Sequence, residues 1–188
     1  MSIPDLRGES APVGAPVAAQ RALRLVRIGR PATTPEAVNA RADMAACMAP
    51  EIAVVDIDTQ ASLSQVRELV TAGGPPWALL TLPGATPSGA WLVRRLAAEG
   101  LAPARVLVRL EAPGDAIRAE LDEAAAGGEA LTCPVALLLT PTDGTVTEDL
   151  GGWSGLAAET PVVRVLGVEE THEAIATVVK EELHVWPS

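Results

Sequence analysis

The chain has 188 residues, a formal net charge of −10, 48% hydrophobic and 20% charged residues, and four Trp with neither Phe nor Tyr, which describes one globular domain with an aliphatic core. Its 14 cationic residues are 13 Arg and one Lys, Lys180; this excludes a Schiff-base lysine in the body of the chain and an ordinary phosphate loop, whose lysine follows a strand and a Gly-rich turn. The acidic balance, with no basic run, excludes direct nucleic-acid binding and attachment to an acidic membrane surface.

Residues 1–20 are rich in Pro, Ala, Gly and Ser, and Pro4, Pro12 and Pro16 break any helix, so they read as a flexible tail ahead of a single domain over 21–188. Ala22–Ile28 is a short strand-like run. Thr34 is placed to cap a helix over Pro35–Met48, with Pro35 at its first position. Ile52–Ile57 is a continuous apolar run of the buried-strand kind, and Ser62–Ala72 carries Leu63, Val66, Leu69 and Val70 on one helical face. Trp77–Leu82, Arg105–Leu110, Val135–Thr140 and Val162–Leu166 read as further strands. Helices are expected over Ser88–Glu99, closed by Gly100, over Asp115–Ala126, closed by Gly127 and Gly128, over Glu169–Leu183, and as a short irregular piece over Leu150–Ala158. This alternation predicts an α/β fold: a doubly wound, mostly parallel sheet of six to seven strands with helices on both faces. Ligands of such sheets bind beyond the carboxyl ends of the strands, so the informative residues follow each strand.

Cys47 and Cys133 fit no C-x-x-C pattern and make no metal site with His172 and His184, so two reduced thiols in a cytoplasmic protein are expected. No apolar run reaches the ~18–20 residues of a membrane span, and the N-terminus has no signal-peptide core.

The loop after the second strand holds Asp56 and Asp58, which at i and i+2 point the same way and suit a metal ion or an activated water; the same pair also reads as one helix-capping and one solvated acid. Gly84–Trp91 has the glycine spacing of a phosphate loop but ends in Ala and Trp, and also reads as a strand-to-helix turn with Ser88 as N-cap. Asp143, in Pro141-Thr142-Asp143-Gly144, suits either a base-reading carboxylate or a type I turn. Arg94, Arg95, Arg105 and Arg109 could form an anion patch, or be solvated or paired with acids. Trp91, Trp153 and Trp186 are candidate interface anchors, with a core role as the alternative for each.

Ile52–Leu63, IAVVDIDTQASL, resembles the D-x-D-P-Q-x-S strand end of ParA/MinD-type deviant Walker ATPases, with Thr59 in place of the proline. The resemblance implies a P-loop NTPase-like fold, and puts Arg27–Thr34 where the family reads K-G-G-x-G-K-T-T. Gly29, Arg30, Thr33 and Thr34 would then be a vestigial nucleotide-binding loop, joined by Asp143. Arg27 falls on the signature lysine and Ala32 on the clamping lysine, Pro31 brings no N–H to the phosphates, and Thr81 stands at the metal aspartate. The expected protein is a ParA-like pseudo-ATPase without enzymatic activity, cofactor or metal. It would act through protein contacts as scaffold, adaptor or regulator in partition or assembly, as a homodimer or with an intact ParA-like ATPase. The alternative is an active ATPase that uses Asp56 and Asp58 for Mg²⁺ and Arg27 or Arg30 for the phosphates of ATP. A receiver-like or flavodoxin-like signalling module is a third class, poorly served by a first strand that ends in Ile28-Gly29-Arg30.

Overall fold

The computed structural model describes residues 23–73, 76–143, 155–167 and 171–184. The tail over 1–20, Trp153, Trp186 and most of the helix expected across 150–158 lie outside them. Strands and helices alternate as β1 (Leu23–Gly29), α1 (Pro35–Met48), β2 (Ile52–Asp58), α2 (Leu63–Gly73), β3 (Trp77–Thr81), α3 (Thr86–Ala97), β4 (Arg105–Ala112), α4 (Gly114–Ala126), β5 (Val135–Pro141), β6 (Val162–Val165) and α5 (His172–His184). The strands form one six-stranded sheet in the order β2-β1-β3-β4-β5-β6, and all the neighbouring pairs are parallel.

Local chemistry explains most of the boundaries. Thr34 Oγ1 accepts the Ala37 N–H at 3.2 Å, and Pro35 starts α1, as its missing N–H allows. Ser62 and Gln65 close a capping box ahead of α2: Gln65 Oε1 accepts the Ser62 N–H at 2.9 Å, and Ser62 Oγ accepts the Gln65 N–H at 3.3 Å. The central strands β3 and β5 are buried along their whole length, which is why they read as unbroken apolar runs. β6, at the sheet edge, is exposed at all four residues.

Side-chain alternation sorts the core into two layers. Leu25, Ala78, Leu80, Leu107, Ala136 and Leu138 face α1 and α5. Val26, Leu79, Val106, Val108, Leu137 and Leu139 face α2, α3 and α4. Burying each such Leu or Val contributes about 1.5–3 kcal/mol before the entropy of ordering is charged against it.

The sheet changes direction at β1. The chain steps from β1 to β2 on one side, then to β3 on the other, so the switch point lies between the carboxyl ends of β1 and β3. Two loops meet there: residues 30–34 after β1, and residues 82–85 after β3.

Candidate active site

The β3–α3 connection is a tight turn, Leu82-Pro83-Gly84-Ala85. Leu82 N–H still pairs with Ile28 O at 2.9 Å, so the turn starts in register with β1. Gly84 has φ +77°, a left-handed conformation in which glycine is favoured. Helix α3 then begins at Thr86, two residues before the expected Ser88 cap, and its N-cap Ala85 has no side chain to bond the first turn. Gly89 lets α3 lie on β3, since a Cβ there would collide with Thr81.

The orphan donors of this turn are taken by a carboxylate from another element. Glu120 on α4 accepts the Gly84 N–H on both oxygens at 3.0 Å, and its Oε1 accepts the Thr86 N–H at 3.0 Å and the Thr86 Oγ1–H at 2.5 Å. A carboxylate at the N-terminus of a helix is stabilised by the N–H groups and by the helix dipole. Among the described residues no cation lies within ion-pair distance of Glu120, so the carboxylate is held by neutral donors alone. The guanidinium of Arg30 covers the other face of the turn: a Cβ on Gly84 would stand 3.5 Å from its Nε. Arg30 is exposed, and Arg41 holds its loop by bonding the Arg30 carbonyl. The switch point therefore brings together a carboxylate, a hydroxyl, a left-handed glycine turn and an arginine.

The same two helices clasp at their far end. Arg94 on α3 donates through Nη2 to Ala124 O at 3.0 Å, in the last turn of α4, and through Nε to Glu129 O at 2.6 Å. Burial lowers the Arg94 pKa below its ordinary value.

The expected site residues are distributed otherwise. Arg27, 1% exposed, makes a two-point pair with Asp56, its cross-strand neighbour, at 2.5 and 2.8 Å, and donates to Arg41 O at 3.0 Å. Asp56 is thus engaged in the fold through Arg27. Asp58 Oδ1 accepts from Thr59 Oγ1 at 3.1 Å and Gln60 N–H at 2.9 Å, an Asx turn that ends β2. Gly29 is packed against Leu82, Thr33 is exposed, and Thr34 serves as the α1 cap; of the phosphate-loop candidates only Arg30 reaches the switch point. Asp143 Oδ2 accepts the N–H of Gly114, the first residue of α4, at 3.1 Å. Arg105 pairs with Glu182, and Arg109 with Glu111, so the four arginines form no common patch. Trp91 is 48% exposed, on the first half of α3. Glu120 was missed because it stands 36 positions from Gly84 on a helix that reads as an ordinary amphipathic one. Among the described residues no group of three His, Cys, Asp or Glu suits a metal ion, and no helix is long and apolar enough to cross a membrane.

No family model and no curated protein matches the sequence. Solved structures do match. The type II thioesterase BorB, from the borrelidin biosynthetic cluster, superposes with a TM-score of 0.59 at 18% identity, over 87% of this chain and 94% of that one. The RedJ thioesterase, from the prodiginine pathway of Streptomyces coelicolor, gives 0.56 at 15% identity, over 94% and 90%. YbtT, a type II thioesterase of the yersiniabactin pathway, gives 0.57 at 13% identity, over 90% and 94%.

These neighbours overturn the ParA/MinD kinship, and with it the P-loop assignment and the non-enzymatic partition role built on it. The nucleotide roles given to Gly29, Arg30, Thr33, Thr34 and Asp143 rested on that kinship and lose their basis. In α/β-hydrolases the nucleophile stands on a sharp strand-to-helix turn, and the acid and the histidine follow in chain order. Here that turn is the one after β3, and between Thr81 and Ala85 it contains no Ser, Cys or Asp. Asp143 lies two residues after β5 and His172 opens α5, so acid and histidine types do follow in that order. The chain shares the fold of these thioesterases, and its strand-to-helix turn after β3 bears a glycine held by the carboxylate of Glu120.

Proposed function

We propose that the protein hydrolyses acyl thioesters, using a water molecule activated by Glu120 instead of a serine acyl-enzyme. The observation behind this reading is the Glu120 carboxylate seated on Gly84 N–H, Thr86 N–H and Thr86 Oγ1 at the elbow. The thioesterase fold of the neighbours supports the substrate class, and the lack of a hydroxyl or thiol on the turn itself argues for direct attack by water.

In this reading the thioester carbonyl lies over Gly84, between Glu120 and Arg30. Glu120 takes one proton from water as the oxygen adds to the carbonyl carbon. Protonation loosens the hold of Glu120 on the elbow N–H groups, which become free to bond the oxyanion of the tetrahedral intermediate. Arg30 adds a positive charge at the same place. The intermediate collapses to the carboxylic acid by breaking the C–S bond, and Glu120 returns its proton to the leaving thiolate. The Thr86 hydroxyl keeps the carboxylate in position throughout.

The test is thiol release from acyl N-acetylcysteamine thioesters, followed by absorbance with a thiol reagent. Turnover without a burst phase is expected, together with no labelling by a fluorophosphonate serine probe. Glu120→Gln should lower kcat by about 10²–10⁴, as loss of a general base does. Unchanged turnover in Glu120→Gln, a labelled serine, or no hydrolysis above the buffer rate would each overturn the proposal.

A further inference from the structure

Arg27 is the largest fully buried side chain among the described residues. Burying an ion pair seldom stabilises a fold by itself, because the lost hydration offsets the attraction. The contacts of this pair show what else it fixes. Asp56 takes Arg27 Nε and Nη2 at 2.5 and 2.8 Å, and the same Nη2 donates to Arg41 O, in α1, at 3.0 Å. Arg41 passes the hold onward, since its own Nη2 donates to Arg30 O in the loop after β1. Gly29 leaves room for that guanidinium: a Cβ there would stand 3.1 Å from Arg41 Nη2 and 2.8 Å from Leu82 Cδ1. One chain of contacts thus runs from β2 through β1 and α1 to Arg30, whose guanidinium lies over Gly84.

We infer that Arg41 is a positioning residue for Arg30, with the buried Arg27–Asp56 pair as its anchor. Helix α1 buries only Met44 and Met48, both in its second half, and residues 35–39 are exposed. Apolar packing therefore does not fix the half of α1 that starts beside the loop, and the Arg27 bond to Arg41 O supplies a tie in the middle of the helix. Among the described residues, the Arg41 bond is the only hydrogen bond made to residues 30–33. The Arg30 guanidinium has no polar partner among the described residues, so its place over Gly84 depends on where its backbone is held. Holding that backbone removes part of the entropy that an exposed arginine loses when it meets a developing charge. The inference rests on the hydrolytic reading only for what Arg30 does once it is placed.

Two measurements on the full chain test it. The first is ¹⁵N relaxation. Order parameters of Arg30, Ala32 and Thr33 should lie near the ~0.85 of rigid backbone and fall below ~0.6 in Arg41→Ala, with those of β4 unchanged. Arg41→Lys, which can still donate to Arg30 O, should restore them. The double variant Arg27→Met, Asp56→Leu, which removes the anchor without leaving a buried charge, should loosen the same three residues. The second is a double-mutant cycle on thioester turnover. Arg30→Ala should lower kcat about tenfold at unchanged KM, less than the ~10²–10³ of an enclosed oxyanion donor because Arg30 is exposed. Arg41→Ala should lower kcat about fivefold in the wild-type chain and less than about twofold once Arg30 is Ala, since it acts through that residue. Wild-type order parameters at residues 30–33 in Arg41→Ala, equal losses of turnover in the two backgrounds, or an Arg41→Lys variant as impaired as Arg41→Ala would overturn the inference. A folded Arg27→Met, Asp56→Leu variant with wild-type loop order would overturn the anchor. Loss of loop order in Arg41→Ala, in a chain that releases no thiol from thioesters, would instead sink the hydrolytic reading and leave the positioning role standing.

Discussion

Two glutamates reach inward from helices at different places on the sheet, and their surroundings differ in kind. Glu182 on α5 is 2% exposed and sits between two guanidinium groups, Arg105 Nη2 at 2.6 Å and Arg164 Nε at 2.8 Å. Glu120 on α4 is half-buried and is held only by two backbone N–H groups and a hydroxyl. The first carboxylate is neutralised by fixed cations and locks α5 to β4 and β6. The second keeps an uncompensated negative charge at a solvent-accessible turn. Truncating the first leaves the nearly buried Arg105 without its partner, while truncating the second leaves only neutral donors. The same side chain is thus an ion-pair partner in one setting and a helix cap in the other.

The sharpest way to break this contrast is to remove each carboxylate and read stability by urea unfolding. Glu182→Ala should cost about 3–5 kcal/mol, the usual penalty for deleting one partner of a buried pair. Arg105→Ala should come close to it, and Arg164→Ala should fall well short, since Arg164 is half-exposed and Arg105 is nearly buried. Glu120→Ala should cost only about 1 kcal/mol, as loss of a helix cap does, while the proposed thioester hydrolysis should fall steeply. A stability loss for Glu120→Ala as large as for Glu182→Ala would erase the distinction.

A smaller effect comes from Cys133, whose thiol burial pushes up to about 11 from 9.0. The folded protein favours the neutral thiol, so this contribution to stability is complete below pH 9 and is lost as the pH climbs from about 9 to about 11. Thiol-reagent labelling of Cys133 should be slow at pH 8 and should accelerate on unfolding. The smallest effect is expected at Arg67–Glu99, paired at 2.6 Å on the surface. The Arg67 hydrogen bond holds the Glu99 pKa below its ordinary value. Its stabilisation is present above the ordinary carboxylate pKa and disappears as the pH falls through the lowered one. Solvent screening makes it slight, and Glu99→Gln should leave the denaturation midpoint unchanged within error.

The order of strands and helices was legible because each element announces itself locally. The Thr34–Pro35 start of α1, the apolar runs of β2 to β5 and the glycines after α3 and α4 fall where expected. α3 is displaced by two residues because its cap comes from Glu120, which no local rule can supply. The misassigned family has an instructive cause. In IAVVDIDTQASL, Asp58 makes an Asx turn, Ser62 begins a capping box that Gln65 completes, and Asp56 answers Arg27 across the strands. Those residues serve a strand end and a helix start, a chemistry that unrelated α/β folds share. The contact that organises the turn after β3, from Glu120 to Gly84 and Thr86, comes from a residue remote in sequence.

The double clasp between α3 and α4 has a mechanical consequence. An anion from α4 sits at the positive end of α3, and a cation from α3 sits at the negative end of α4. Fastened at both ends, the two helices should move as one plate against the sheet, sliding together but not splaying apart. A rearrangement at the turn after β3 would then be felt a full helix length away, around residues 129–133, at the end of the sheet where the strands begin.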